Sequence, residues 1–134
     1  MSRVVVDTDV ISFLFKNDSR AVRYQAHIAG REAIISFMTL AELHLWARIR
    51  NWGSQRMKRL DEHVRQFGVH PYDPALCRVW AEASHTAQKN GRRIETADAW
   101  IAATALLHKL PLITHNAGDY AGVDGLQIIT EPDR

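Results

Sequence analysis

Short apolar runs alternate along this chain with longer stretches of helical period, and that alternation dictates the class of fold. Val4-Val5-Val6 is β-branched and too short for a helix, so it reads as a buried strand. Helical character begins near Asp9 and runs to Phe15, and a second helix spans about Ser19 to Ala29 before Gly30 stops it. Ala33 to Ser36 is a second strand, and the helix after it runs from about Thr39 to Asn51. Gly53-Ser54 opens another helix through Val64, and Val69-His70 is a short third strand. Asp73-Pro74 starts a helix that carries Leu76, Val79, Trp80, Ala83 and Ala87 to Gly91, since Asp caps and Pro suits the first helical position. A helix from Thr96 to Lys109, a strand at Leu112 to Thr114 and a last strand at Leu126 to Thr130 complete the pattern. Strands separated by helices predict an α/β fold, a three-layer α/β/α sandwich around a central parallel sheet of four to five strands.

The 134 residues suffice for one core, and no linker or repeat divides them, so a single domain over 1–134 is expected. Nothing approaches the ~18 uninterrupted apolar residues of a membrane span. No charged head with an apolar stretch and cleavage site marks a secretory signal. The single cysteine, Cys77, has no internal partner and points to a reducing, cytoplasmic setting; its helix pattern places it in the core. A net charge of +2 does not by itself diagnose nucleic-acid binding. However, Arg48, Arg50, Arg56, Lys58, Arg59 and Arg65 crowd one helical region, as either a solvated face or a phosphate contact.

Four carboxylates carry the chemical information. Asp7 ends the first strand, Glu42 lies in the third helix, Asp98 opens the last helix, and Asp119 follows the Leu112 strand through Thr114-His115-Asn116-Ala117-Gly118. Two of them therefore follow strands, and ligands of α/β sheets bind at the carboxyl ends of strands. Each also has a bland explanation. Thr39-Leu40-Ala41-Glu42 matches a capping box, Thr96 is placed to cap its helix with Asp98 in the first turn, Asp9 is placed to cap the first helix, and Asn116, Gly118 and Asp119 suit a turn. Taken together the acids are harder to dismiss. A right-handed crossover returns the Leu112 strand beside the first, bringing Asp7, Asp98 and Asp119 to one edge within reach of Glu42. Four such carboxylates raise one another's pKa unless a cation resolves the conflict. Hard oxygen ligands without a Cys or a His pair suit Mg²⁺ or Mn²⁺, not zinc.

Other chemistries fail on spacing. No Gly-x-Gly-x-x-Gly turn or phosphate loop occurs, and Ser36 lacks a nucleophile-elbow context. Trp46, Trp80 and Trp100 sit at helical positions suited to core or partner contact, whereas Trp52, beside a glycine, is the candidate for an exposed contact. Asp61 and Glu62 lie on a solvated helix face.

The segments Asp7-Thr8-Asp9-Val10-Ile11, Thr39-Leu40-Ala41-Glu42-Leu43, Thr96-Ala97-Asp98-Ala99-Trp100-Ile101-Ala102-Ala103-Thr104-Ala105 and Leu112-Ile113-Thr114-His115-Asn116-Ala117-Gly118-Asp119-Tyr120 resemble the four successive motifs of PIN domains, most closely those of VapC-type toxins. The resemblance implies that Asp7, Glu42, Asp98 and Asp119 hold Mg²⁺ (with Mn²⁺ substituting), and that Thr114 and Asn116 support the last acid and Thr8 the first. Asp9, where the family often has Asn, is a supporting residue or a cap. His115 is a loop residue with a backbone contact, not a catalytic base. The implied reaction is endonucleolytic cleavage of RNA by a metal-activated water, leaving 5′-phosphate and 3′-hydroxyl ends. The implied partners are an RNA substrate, a small antitoxin filling the acidic cleft and a neighbouring apolar groove, and a second copy in a homodimer. A PIN nuclease of RNA processing without an antitoxin, and a non-catalytic binding module on the same fold, are the alternatives.

Overall fold

The computed structural model describes residues 2–133. Five strands form one fully parallel sheet: β1 (Arg3–Val6), β2 (Glu32–Ser36), β3 (Gly68–His70), β4 (Leu112–Ile113) and β5 (Ile128–Ile129), in the order β3-β2-β1-β4-β5. The helices are α1 (Thr8–Lys16), α2 (Ala21–Ile28), α3 (Phe37–Ile49), α4 (Ser54–Val64), α5 (Pro74–Lys89) and α6 (Thr96–His108), with a 3₁₀ turn at Ala117–Tyr120. No helix is long and apolar enough to cross a membrane among the described residues. The expected three-layer α/β/α architecture holds, with β4 and β5 shorter than the apolar runs that encode them.

Successive side chains of a strand point to opposite faces, and β1 exploits this fully. Val4 and Val6 pack with Ile35, Val10, Ile11, Tyr24, Leu43 and Leu60 under α1 to α4. Val5 packs with Ile34, Leu112, Ala83, Ala87, Ile101 and Ala105 under α5 and α6. All three valines are fully buried, each contributing about 1.5–3 kcal/mol of transfer free energy. Cys77 is exposed, contrary to its expected core position: its neighbour Leu76 takes the buried position instead.

Helix caps differ from the sequence expectation at three starts. α3 begins at Phe37, because the Ser36 hydroxyl at the end of β2 accepts from the Met38 amide at 3.1 Å. The Thr39–Glu42 capping box is therefore not formed; Thr39 lies inside the helix and fully buried. α6 starts at Thr96 itself, with Glu95 at the cap position and no side-chain cap bond, so Thr96 does not cap it. Asp7, not Asp9, caps α1, its Oδ1 accepting from the Thr8 amide at 2.7 Å. Gly118 is not among the glycines with positive φ, which are Gly30, Gly91 and Gly125.

The order of strands reverses between β1 and β4. Chain order moves outward from β1 through β2 to β3, then resumes on the other side with β4 and β5. Such a switch point opens a crevice at the carboxyl ends of the two central strands. Asp7 stands at the end of β1, and Thr114 at the end of β4, on either side of it.

Candidate metal centre

Asp7 is the anchor of the crevice. Only 6% of it is exposed, and its backbone amide donates to Ile113 O at 2.9 Å, which ties it to β4. Oδ1 accepts from the Thr8 amide, and Oδ2 accepts from the Thr114 hydroxyl at 2.7 Å and the Tyr120 hydroxyl at 2.9 Å. Burial pushes the Asp7 carboxyl above its ordinary pKa and Asp119 adds to the shift, while these three hydrogen bonds hold it back.

Glu42 reaches the same crevice from the second turn of α3. The Thr8 hydroxyl lies 2.7 Å from Glu42 Oε1 and 3.0 Å from the Thr39 hydroxyl. With one proton to give, Thr8 serves the carboxylate, and Thr39 is left to donate to Thr8. Partial burial raises the Glu42 pKa, and the Asp7 charge raises it further.

Asp98 lies in the first turn of α6, where the helix dipole alone favours the charged form. Its pKa is instead pushed up to about 7, first by burial and then by the charges of Asp7, Asp119 and Glu42, with the Tyr120 hydroxyl at 3.4 Å opposing. Burial and repulsion together outweigh the dipole. Asp119 itself is exposed, in the 3₁₀ turn. That turn is held against the α5–α6 link: Asn90 Nδ2 donates to Gly122 O at 2.9 Å, and a Cβ at Gly122 would overlap the Arg92 carbonyl.

The supporting residues divide differently from expectation. Thr114 donates to Asp7, not to Asp119. Asn116 donates through Nδ2 to Asp9 Oδ2 at 2.8 Å, and meets Asp119 only through its backbone carbonyl. Asp9 is thus a brace for the loop after β4: Oδ1 accepts from Val10 N and Oδ2 also from the His115 amide at 3.1 Å. Burial and the Asp7 charge push its pKa up to about 6. His115 makes the expected backbone contact, but its ring is also largely buried, between the Tyr24 hydroxyl at Nδ1 and Asp133 at Nε2. Tyr120 is the site residue that sequence reasoning missed. No spacing rule marks a tyrosine in a turn, and only the tight 3₁₀ geometry aims it inward beside an outward Asp119.

Asp98 lies in the field of the other three acids, without the four being stacked into a finished cage. Among the described residues no three Asp, Glu, His or Cys side chains converge as a ligand cluster. Hydroxyls of Thr8, Thr114 and Tyr120 occupy oxygens that a cation would otherwise share. The donors are all oxygens, with no thiolate or imidazole among them, which fits a hard divalent cation.

Residues 4–126 match the family model of the PIN domain. The chain belongs to the PIN-domain family. Ribonuclease VapC5 of Mycobacterium tuberculosis is 36% identical over 124 residues, covering 90% of this chain and 87% of that protein. Ribonuclease VapC1 of Haemophilus influenzae is 28% identical over 125 residues, covering 92% and 93%. Among solved structures, the toxin–antitoxin system VapBC-5 of M. tuberculosis superposes with a TM-score of 0.75 at 30% identity, over 98% of this chain and 100% of that one. VapBC2 of Rickettsia felis, bound to a promoter DNA fragment, reaches a TM-score of 0.85 at 18% identity over 96% and 98%, a likeness of fold alone. This PIN domain is therefore of VapC type, and its four acidic motifs fall around a single crevice.

Proposed function

We propose that this PIN domain is a metal-dependent endoribonuclease and the toxin of a toxin–antitoxin pair. The observation that carries the reading is Asp98: its carboxyl lies in the combined field of Asp7, Asp119 and Glu42, a conflict that a bound cation relieves. Asp7, Glu42, Asp98 and Asp119 would hold Mg²⁺, with Mn²⁺ as a substitute. When bound, the metal supplies Lewis-acid activation of water and neutralises charge on the leaving oxygen of the phosphodiester.

The remaining work falls to this chain's own residues. Thr114 and Tyr120 fix one Asp7 oxygen and the Thr8 amide the other. Thr8 orients Glu42, and Asp9 clamps the loop that delivers Asp119. No histidine is needed as a base, and the His115 ring is engaged elsewhere. In-line attack by water on phosphorus leaves a 5′-phosphate and a 3′-hydroxyl.

An antitoxin partner is supported by the kind of relatives this chain has, which include VapBC complexes. A groove of about 410 Å³ between α1, α2 and α4 is lined by Leu14, Ile28, Ala33 and Phe67. At its rim Arg31 Nη1 and His63 Nε2 are buried without a hydrogen-bond partner, as suits an amphipathic segment with an acidic side chain. Leu45 and Ile49, exposed one turn apart on α3, suit the contact of a homodimer.

Expression without its partner tests this reading. Growth slows with the native chain, and Asp7→Asn, near-isosteric but without the charge that holds a hard cation, abolishes the effect. Undiminished growth arrest by a folded Asp7→Asn protein contradicts it.

A further inference from the structure

The far ends of α1 and α3 present the opposite electrostatic problem from the one in the crevice. Lys16, eight residues beyond Thr8 on α1, and Arg50, eight beyond Glu42 along α3, each stand about 12 Å further along their helices. Arg56 on α4 joins them. The Lys16 ammonium is depressed by desolvation and then by the nearby Arg50 and Arg56 charges. Among the described residues none of the three is in an ion pair with a carboxylate; Arg20 takes the nearby Asp18.

Aromatic rings hold the two arginines in place without neutralising them. The Arg56 guanidinium lies 4.2 Å from the centre of Trp52, which stacks on Phe15 at 5.4 Å, and Arg50 lies 5.5 Å from the centre of Trp46. Trp52 is thus half-buried, not the free contact its sequence setting predicted. Beside it a cavity of about 380 Å³ is lined by His44, Arg48, Asn51, Trp52 and Met57. A solvated helix end explains part of this, because Lys16 and Arg50 sit where the dipole favours cations. It does not explain Arg56, which stands in the first turn of α4, where the dipole disfavours positive charge and no acid offsets it. The contact with Trp52 offsets that penalty in the fold and leaves the charge itself without an acidic partner, open to an anionic ligand.

We propose that this end of the α1–α3 pair is a docking platform for a single-stranded RNA segment, with phosphates on Lys16, Arg50 and Arg56 and a base in the cavity beside Trp52. His44, Arg48 and Asn51 offer hydrogen-bonding groups to an unstacked base edge, which is how single-stranded RNA is read. At about 3.4 Å per stacked nucleotide, the separation from the acidic crevice is three to four nucleotides. The inference rests on the ribonuclease reading, and places part of the substrate grip away from the cleaved bond.

Binding measured in EDTA separates this proposal from the nuclease reading. The probe is a labelled mixed-sequence single-stranded RNA of about 12 nucleotides, within the usual site size of such grooves. Replacing Lys16, Arg50 and Arg56 together by Gln lowers affinity and makes the slope of log affinity against log salt shallower by roughly 2, for three phosphates at ~0.7 each. Arg56→Lys keeps the charge and so the slope, but loses part of the affinity with the guanidinium–indole contact. Removing three exposed cations of the opposite layer, Arg78, Lys89 and Arg93, leaves the slope within half a unit of the native value. Equal losses in the two triple variants, an unchanged slope in the first, or tighter binding of an acidic peptide of equal charge than of RNA each overturn the platform. Metal-dependent cleavage that survives such a result leaves the nuclease reading standing.

Discussion

The Tyr120 hydroxyl donates to Asp7 Oδ2 at 2.9 Å, across 113 positions of the chain. That bond links the end of β1 to the turn beyond β4, the two segments that flank the switch point. The phenol stays protonated: burial first, then the charges of Asp7 and Asp98, push its pKa well above the ordinary tyrosine value. Tyr120 is therefore a fixed donor and never a base.

Tyr120→Phe removes that donor and little else. The expected cost to stability is about 1–3 kcal/mol, because the Asp7 carboxylate stays buried and loses one of its partners. Mn²⁺ affinity falls several-fold at neutral pH, since the Asp7 pKa rises further and the ion competes with a proton. Denaturant melts and calorimetric titration check both; a variant matching the native protein in the two measurements removes Tyr120 from the site.

Glu42→Gln separates a metal ligand from a helix cap. The α3 cap belongs to Ser36, and Gln still accepts the Thr8 hydroxyl, so stability stays roughly intact or rises as acid–acid repulsion is relieved. Cleavage falls more than ~10-fold, a barrier increase above ~1.4 kcal/mol, with partial rescue at raised Mn²⁺. Full activity in the folded variant at ordinary Mg²⁺ takes Glu42 out of the centre.

Ser36→Ala is the converse case. Losing this cap costs about 0.5–2 kcal/mol of stability. It leaves the acids, and hence metal affinity, in place. Thermal melts and Mn²⁺ titration of the variant report the two quantities separately, and a stability equal to the native protein would mean that α3 is capped elsewhere.

The metal-free protein has a defined pH signature. Asp98, at about 7, and Asp9, at about 6, hold protons in the folded state that the unfolded chain has lost. Their contribution to stability is present below the ordinary carboxylate pKa, declines as pH rises, and is gone above about 7. In EDTA, Asp98→Asn therefore gains stability relative to the native protein on going from pH 5 to pH 8, as paired thermal melts read. Adding Mg²⁺ stabilises the native chain more at pH 8 than at pH 5. A difference between variant and native protein that does not move with pH contradicts the assigned shift.

The sheet was legible because β1 carries its own orientation: three consecutive valines require cover on both faces, and the acid after them falls at the crevice. Topology also sends the ends of β1 and β4 to one edge, which singles out Asp7 and the segment carrying Asp119; Glu42 and Asp98 were pointed to by the resemblance of their motifs. What sequence could not resolve were contests between near-equivalent groups. Ser36 and Thr39 both suit a helix cap, and the choice follows from where β2 ends. Asp7 and Asp9 both suit the cap of α1, and only tertiary contact makes one the buried anchor and the other the clamp on His115 and Asn116. Cys77 and Leu76 differ by a single helical step, which decides burial. Tyr120 carries no periodic signal at all, because its direction comes from a 3₁₀ turn of four residues.

Sequencing of RNA ends asks whether four acids around one crevice hold a divalent ion that cuts RNA. Purified protein is incubated with total RNA in Mg²⁺ and in EDTA, beside the folded Asp7→Asn variant, and the new ends are mapped. Discrete cleavages bearing 5′-phosphates are expected in Mg²⁺, absent in EDTA and absent with Asp7→Asn. The same cleavages persisting in EDTA, or produced by Asp7→Asn at the native rate, would contradict that expectation.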